Sequence, residues 1–233
     1  MNAADVMTTH VITVTPDTTV LDCAKLFLDN HISAAPVLDG QGKLVGIVSE
    51  GDLMHRAEIG TDQSTGSWWL NMFTSRETAA DAYVKTHSNR VGDVMTASVI
   101  SVQRDTSLGE IAHLLESKRI KRVPVVENDR VVGVVSRANL LHALASQKEK
   151  TAVPAQTSDD RTIRQTLLDL MHKSSWGNAN PSNVMVSDGV VEVWGVVDTE
   201  QERTALRVAA EEIQGVKKVI DHRVLFTELR RGA

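Results

Sequence analysis

Two four-residue stretches place side chains where they could hold a ligand. Ser49-Glu50-Gly51-Asp52 and Ser136-Arg137-Ala138-Asn139 each follow an apolar, strand-like run and open a helix-like one. A serine at such a junction caps the helix with its hydroxyl. A carboxylate three residues on returns a bond to the cap residue and favours the helix dipole. That local role accounts for both residues without any ligand. The same geometry also suits binding. Free N–H groups at a helix start attract phosphate, and a carboxylate beside them accepts hydrogen bonds from two vicinal hydroxyls. The two roles are compatible, because one residue can cap the helix while the site is empty. Asn139 still bonds a hydroxyl but brings no charge.

The flanking residues differ too. "SKRIKRVP" before the second stretch carries Lys118, Arg119, Lys121 and Arg122, whereas its counterpart "DNHISAAP" has no Lys or Arg, and Arg137 replaces Glu50. An arginine fork suits phosphate. Cations at a helix end also favour its dipole, which accounts for Lys118 and Arg119 better than for Arg122 and Arg137.

The elements that position these residues come from an internal repeat. Val6-Met7-Thr8 returns as Val94-Met95-Thr96, "VITVTPDTTV" as "VISVQRDTSL", "HISAAPVLD" as "RIKRVPVVE", and "KLVGIVSEGDLMH" as "RVVGVVSRANLLH". In each copy an apolar run such as Val11–Val14 reads as a short strand. A helix follows, with Val20, Cys23, Ala24 and Phe27 on one face of the first copy and Leu108, Ile111, Ala112 and Leu115 on one face of the second. Two strands joined by a turn come next, at Asp39-Gly40-Gln41-Gly42 in the first copy. A second helix starts after Ser49. The unit is β-α-β-β-α, and the two units are expected to pack sheet against sheet.

The copies resemble cystathionine β-synthase (CBS) domains paired as a Bateman module. The resemblance rests on "VMT" before the first strand, "PV" opening the second, and "VGIVS..D" running into the last helix, and it covers roughly the first 145 residues. It implies an adenosine-nucleotide site in each copy, in one shared cleft. Ser49 would face phosphate or ribose and Asp52 would take the ribose diol. Adenine would lie by the backbone of Ala34, Ala35 and Pro36 and against Val11-Ile12-Thr13. The second-copy counterparts are Ser101, Lys121, Arg122, Val123, Pro124, Ser136, Arg137 and Asn139. The two sites are expected to bind unequally, one offering a carboxylate and the other positive charge. AMP, ADP, ATP, NADH and S-adenosylmethionine all fit such an anchor. The resemblance also implies a homodimer.

The remaining chain divides as follows: 1–60 first repeat, 61–90 helical insert, 91–145 second repeat, 146–160 linker, 161–230 a further domain. The linker "SQKEKTAVPAQTSDD" is polar without apolar period. "DRTIRQTLLDLMHK" is an amphipathic helix with Ile163, Leu167, Leu170 and Met171 on one face. Asn183–Ser187 and Val190–Val197 alternate around the Asp188-Gly189 turn. A helix over Thr199–Ile213 and a strand over Val216–Phe226 complete α-β-β-α-β. With Gly189, Gly195 and Gly215 at turns, "SDGVVEVWGVVDTEQER" and "EEIQGVKKVIDHRVLF" resemble a BON domain. That resemblance implies phospholipid or envelope contact in exported proteins, and here an output or interaction surface. The fold class is α+β throughout.

Composition narrows function. A net charge of −5, from 25 basic and 30 acidic side chains without a long basic stretch, disfavours nucleic acid as a partner. The single cysteine, Cys23, rules out an internal disulfide or a Cys-based zinc cluster. It aligns with Ile111 on a core face, which makes it a packing residue. His55 and His142 are repeat-equivalent and late in their helices, where a capping role is the simpler reading. Trp68-Trp69 reads as packing on the module or a dimer mate, with a membrane or partner contact as the alternative. No P-loop, G-x-S-x-G or H-E-x-x-H motif is present, so a non-enzyme that needs no cofactor or metal is expected. No run of about 18 apolar residues occurs, and a cytoplasmic location is expected. The function expected is a regulatory adenosine-nucleotide sensor with an unidentified protein partner. The alternative is a scaffold or adaptor touching lipid or protein through the BON domain.

Overall fold

Each copy of the repeat is completed by the Val-Met-Thr motif of the other copy. The computed structural model describes residues 1–54, 83–146, 158–174, 176–177 and 183–229. His55, Trp68, Trp69, residues 147–157 of the linker and most of the insert lie outside them; residues 83–87 of the insert are helical. The chain divides into two units, Ile12–Val99 and Met1–Val11 with Ile100–Ala233.

The unit Ile12–Val99 holds α2 (Val20–Asp29), β1 (Ala34–Leu38), β2 (Leu44–Ser49), α3 (Glu50–Met54) and α4 (Val91–Val94). Thr19 caps α2 by accepting from the Asp22 N–H. Val20, Cys23 and Phe27 recur at helical spacing and are buried against Ala35, Val37 and Val48. β1 and β2 pair antiparallel. The expected strand Val11–Val14 reduces to one parallel bridge, Val14 to Val37, with Thr13 exposed beside it. Thr96 exchanges both backbone hydrogen bonds with Ile47, at 3.0 and 2.9 Å. A β-carbon on Gly46 would fall inside the Met95 thioether, so the glycine is the slot for that methionine.

The other unit repeats this construction. It begins with α1 (Ala3–Val6), and continues with β3 (Val102–Gln103), α5 (Leu108–Ser117), β4 (Arg122–Glu127), β5 (Arg130–Ser136) and α6 (Arg137–Ala145). The sheet order is β3-β4-β5, parallel then antiparallel. Asn128 and Asp129, both at positive φ, make the two-residue turn between β4 and β5. Ser107 and Glu110 form a capping box on α5, which buries Ile111 and Leu115. Ala112, expected on the same face, is exposed, and Leu114 packs there instead. Thr8 exchanges two 3.0 Å backbone bonds with Val134, and Met7 fills the slot left by Gly133.

The α-β-β-α-β domain belongs to this second unit. It comprises α7 (Ser158–Lys173), β6 (Asn183–Ser187), β7 (Val190–Trp194), β8 (Val196–Val197), α8 (Glu200–Glu211), β9 (Lys218–Asp221), β10 (Val224–Leu225) and α9 (Phe226–Leu229). The strand expected over Val216–Phe226 is broken at His222-Arg223. β9 pairs with β7, whereas β10 pairs with β8 and Phe226 opens a helical turn. Ile163, Leu167 and Met171 are buried as expected, but Leu170 is 38% exposed. Asp160 accepts from the N–H groups of Asp188 and Gly189, which pins α7 to the hairpin turn.

This domain docks on the second repeat through its β6–β7 face. Met185 is part of the repeat's buried core, and Trp194 packs against that core. The Trp194 indole stacks between the rings of His142 and His222, at centroid distances of 4.9 and 4.6 Å. Asn183 Nδ2 lies 3.1 Å from His142 Nδ1. The His142 ring is therefore an interface group rather than a helix cap; its carbonyl, not its ring, takes part in ending the helix by accepting from Ser146.

Two predictions test this packing. Gly133→Val should lower stability by about 1–3 kcal/mol through overpacking, and Met7→Ala in the same chain should recover part of it, measured by urea unfolding. The second concerns pH. Burial, with His222 nearby, lowers the His142 pKa; burial beside His172 lowers that of His10. The unfolded chain takes these protons first, near the ordinary value of about 6.5. The stabilisation is complete above that pH and is lost as pH falls through the lower folded values. The urea midpoint should drop between about pH 7 and about pH 5, and His142→Gln should flatten the drop.

Candidate functional site

The first strand-to-helix corner joins β2 to α3. Register places Ala34 opposite Ser49 and Ala35 opposite Val48, so the β1 backbone runs beside the corner. Glu50 N–H donates to Ser33 O at 3.0 Å. Asp52 Oδ2 accepts from Ser49 N–H at 2.8 Å and from Ser49 Oγ at 2.7 Å. The other carboxylate oxygen, Oδ1, takes no partner among the described residues, and Asp52 is half-buried. Its negative charge is felt nearby: burial, with Asp52 adding to it, pushes the Cys23 thiol up to about 11. Cys23 is thus an inert core thiol. Ala35 and Pro36 are buried, so they can offer a ligand only backbone, and the Pro36 carbonyl already accepts from Val14.

The second corner joins β5 to α6 with the same backbone plan. Arg122 lies opposite Ser136, and Arg137 N–H donates to Lys121 O at 3.1 Å. Asn139 Oδ1 accepts from Ser136 N–H at 2.8 Å and Oγ at 2.6 Å. Here the resemblance between the corners ends. Asn139 Nδ2 donates to Val6 O at 2.9 Å and lies 3.5 Å from Thr8 Oγ1, and the residue is only 4% exposed. A carboxylate cannot donate to a carbonyl, which gives a physical reason for asparagine at this position.

The predicted basic groups distribute unevenly. Lys121 is exposed and Arg122 half-buried at the start of β4. Arg137, expected to face phosphate, turns its Nη2 to Leu115 O at 3.3 Å and so ties the end of α5. Val123 and Pro124 are buried in the core, and Ser101 is exposed next to β3.

Two groups escaped the sequence reading. One is the Val6–Thr8 backbone, whose Val6 carbonyl supports the second corner. The other is Arg164 on α7, 5% exposed. It donates from Nε to Val184 O and from Nη2 to Met7 O, both at 2.8 Å. Burial lowers its pKa to about 10, with Asp5 opposing and Arg104 assisting that shift; it stays charged at neutral pH. The one available hint was an arginine on the apolar side of an amphipathic helix, beside Ile163. Among the described residues no cluster of three or more His, Cys, Asp or Glu could hold a metal, and no helix is long and apolar enough to cross a membrane.

The two corners should respond unequally to exchange of their third-position residues. Asn139→Asp should destabilise by about 1–3 kcal/mol, because it removes a donor from a buried carbonyl. Asp52→Asn should change stability by less than about 1 kcal/mol. Urea unfolding of both variants measures the contrast.

The CBS domain matches residues 3–58 and 91–146, and the BON domain matches residues 159–224. The chloroplastic protein CBSX1 of Arabidopsis thaliana is 33% identical over 135 residues, covering 56% of this chain and 57% of that protein. The uncharacterised protein MJ1426 of Methanocaldococcus jannaschii is 32% identical over 143 residues, 57% of this chain and 85% of that one. A crystal structure of CBSX2, an Arabidopsis thaliana protein, in complex with AMP aligns with a TM-score of 0.55 at 30% identity, over 64% of this chain and 99% of that one. The repeat that builds the two corners is the CBS domain, and the chain belongs to the family of tandem CBS-domain proteins, with a BON domain following the pair.

Proposed function

We propose that this chain is a regulatory adenosine-nucleotide-binding protein whose ligand anchor is the first corner. The observation that carries the reading is Asp52: its carboxylate caps Ser49 through one oxygen and keeps the other uncommitted among the described residues. A ribose diol needs an acceptor of that kind, and a charged acceptor makes the stronger bonds. In this reading Ser49 assists, the backbone of Ala34–Pro36 meets the adenine, and Thr13 lies beside it. The second copy contributes Ser101, Lys121–Pro124, Ser136, Arg137 and Asn139 to a weaker site. The relative crystallised with AMP makes AMP the first compound to test, ahead of ADP, ATP, NADH and S-adenosylmethionine.

The role is binding, not catalysis, and the BON domain is the output surface. Its docking on the second repeat supports that assignment, since a ligand can move an output only by binding two states unequally. The protein acts as a homodimer in the cytoplasm. Leu141 and Leu144 on α6, 64 and 66% exposed, are apolar surface of the kind a second copy covers.

Isothermal titration with AMP tests the reading. Saturable binding is expected, and Asp52→Ala should weaken it about ten- to hundredfold, the loss of hydrogen bonds to a charged group. Equal affinity in the variant would remove Asp52 from the site.

A further inference from the structure

The second corner and the BON domain hold the same piece of backbone. Val6 and Met7 offer consecutive carbonyls, and Met7 is extended at φ −61, ψ 146. With these dihedrals successive carbonyls point in different directions and can be met by different partners. The Val6 carbonyl is held by Asn139 of the corner, and the Met7 carbonyl by Arg164 of the BON helix α7. Arg161 adds a contact from the same helix, reaching the buried Asp5 at 3.3 Å.

This arrangement limits what the second corner can do. Among the described residues, both the acceptor and the donor ends of Asn139 are in use. A ribose hydroxyl bonding there must displace Asn139 from Ser136, from Val6 or from its 3.5 Å contact with Thr8 Oγ1. Displacement from Val6 leaves a buried carbonyl unpaired, in a segment that Arg164 holds from the other side. Among the described residues the first corner has no such obstacle, because Asp52 Oδ1 takes no partner there.

We infer that nucleotide binding at the second corner and docking of the BON domain exclude each other, with the two successive carbonyls of Val6 and Met7 as the shared element. While the BON domain is docked the chain takes one adenosine ligand, at Asp52; when it undocks, the second corner opens and the chain takes two. The coupling is reciprocal, so ligand at the second corner drives undocking. This inference rests on the adenosine reading above and adds its regulation.

The test uses the full chain labelled with 5-fluorotryptophan, the Trp194 resonance being assigned with Trp194→Phe. Trp194 sits in the docking interface and reports its opening. Arg164→Met removes the hold on Met7 O; Arg164→Lys keeps the charge but cannot repeat both bonds. AMP is titrated calorimetrically into each. The parent chain should bind one AMP. Arg164→Met should move the Trp194 resonance and bind two, with affinity at the second corner raised about tenfold or more, and Arg164→Lys should fall between. Two sites in the parent with an unmoved Trp194 would overturn the inference and leave the adenosine reading intact. So would one site in Arg164→Met after Trp194 has moved, or an unmoved Trp194 in that variant. If Arg164→Met does not fold, Arg164→Lys and the parent stoichiometry decide in the same terms. No AMP binding by any of the proteins would sink both readings together.

Discussion

A buried peptide group must find a hydrogen-bond partner, and the Val6–Thr8 segment of this protein meets that demand from several directions. Thr8 pairs with β5 through two backbone bonds. The carbonyls of Val6 and Met7 lie beyond that pairing and depend on side chains from elsewhere in the chain. Asn139 answers one and Arg164 the other. The segment can lie this close to β5 only because residue 133 is glycine, which leaves room for the Met7 side chain. Three features, each more than a hundred residues from it in sequence, thus serve this one short stretch of backbone: a glycine in a strand, an asparagine at a helix start and an arginine on a distant helix.

The sister segment in the other unit shows which part of this arrangement is general. Met95 fits Gly46 and Thr96 pairs with Ile47 in the same way. Asp52 caps Ser49 as Asn139 caps Ser136. The capping side chains themselves differ at one atom, an oxygen in Asp52 and an amide nitrogen in Asn139. That exchange leaves capping unchanged, since either side chain presents an oxygen to the cap residue. It changes the other end of the side chain from an acceptor into a donor. The acceptor suits a diol, and the donor suits a neighbouring carbonyl.

Docking of the BON domain combines two kinds of contact. Met185 and Trp194 place apolar surface on the core of the second repeat, which supplies driving force in proportion to area. Arg164 brings a buried charge whose desolvation opposes its hydrogen bonds and lowers its pKa. Groups of this kind specify a geometry more than they stabilise it. One planar guanidinium meets a carbonyl of its own domain, Val184, and one of the Val6–Thr8 segment, Met7.

The repeat, the hairpins and the helix faces were legible in the residues, because they follow from period, turn chemistry and capping within about ten positions. The Ser-x-x-Asp corner was legible for the same reason. Short pairings were not: Val11–Val14 has strand composition but only Val14 finds a partner, and the last BON strand changes partner at His222-Arg223. His142 occupies a position late in its helix that suits a cap, and only the fold brings Trp194 against its ring. The sequence by itself determined that there are two copies, that their third-position residues differ, and that a third domain follows. Only the tertiary structure decided which copy each Val-Met-Thr motif completes and what Asn139 holds. The physical reason is that local order is set by neighbours along the chain, whereas the partner of a buried carbonyl is chosen by whatever the fold brings within 3 Å of it.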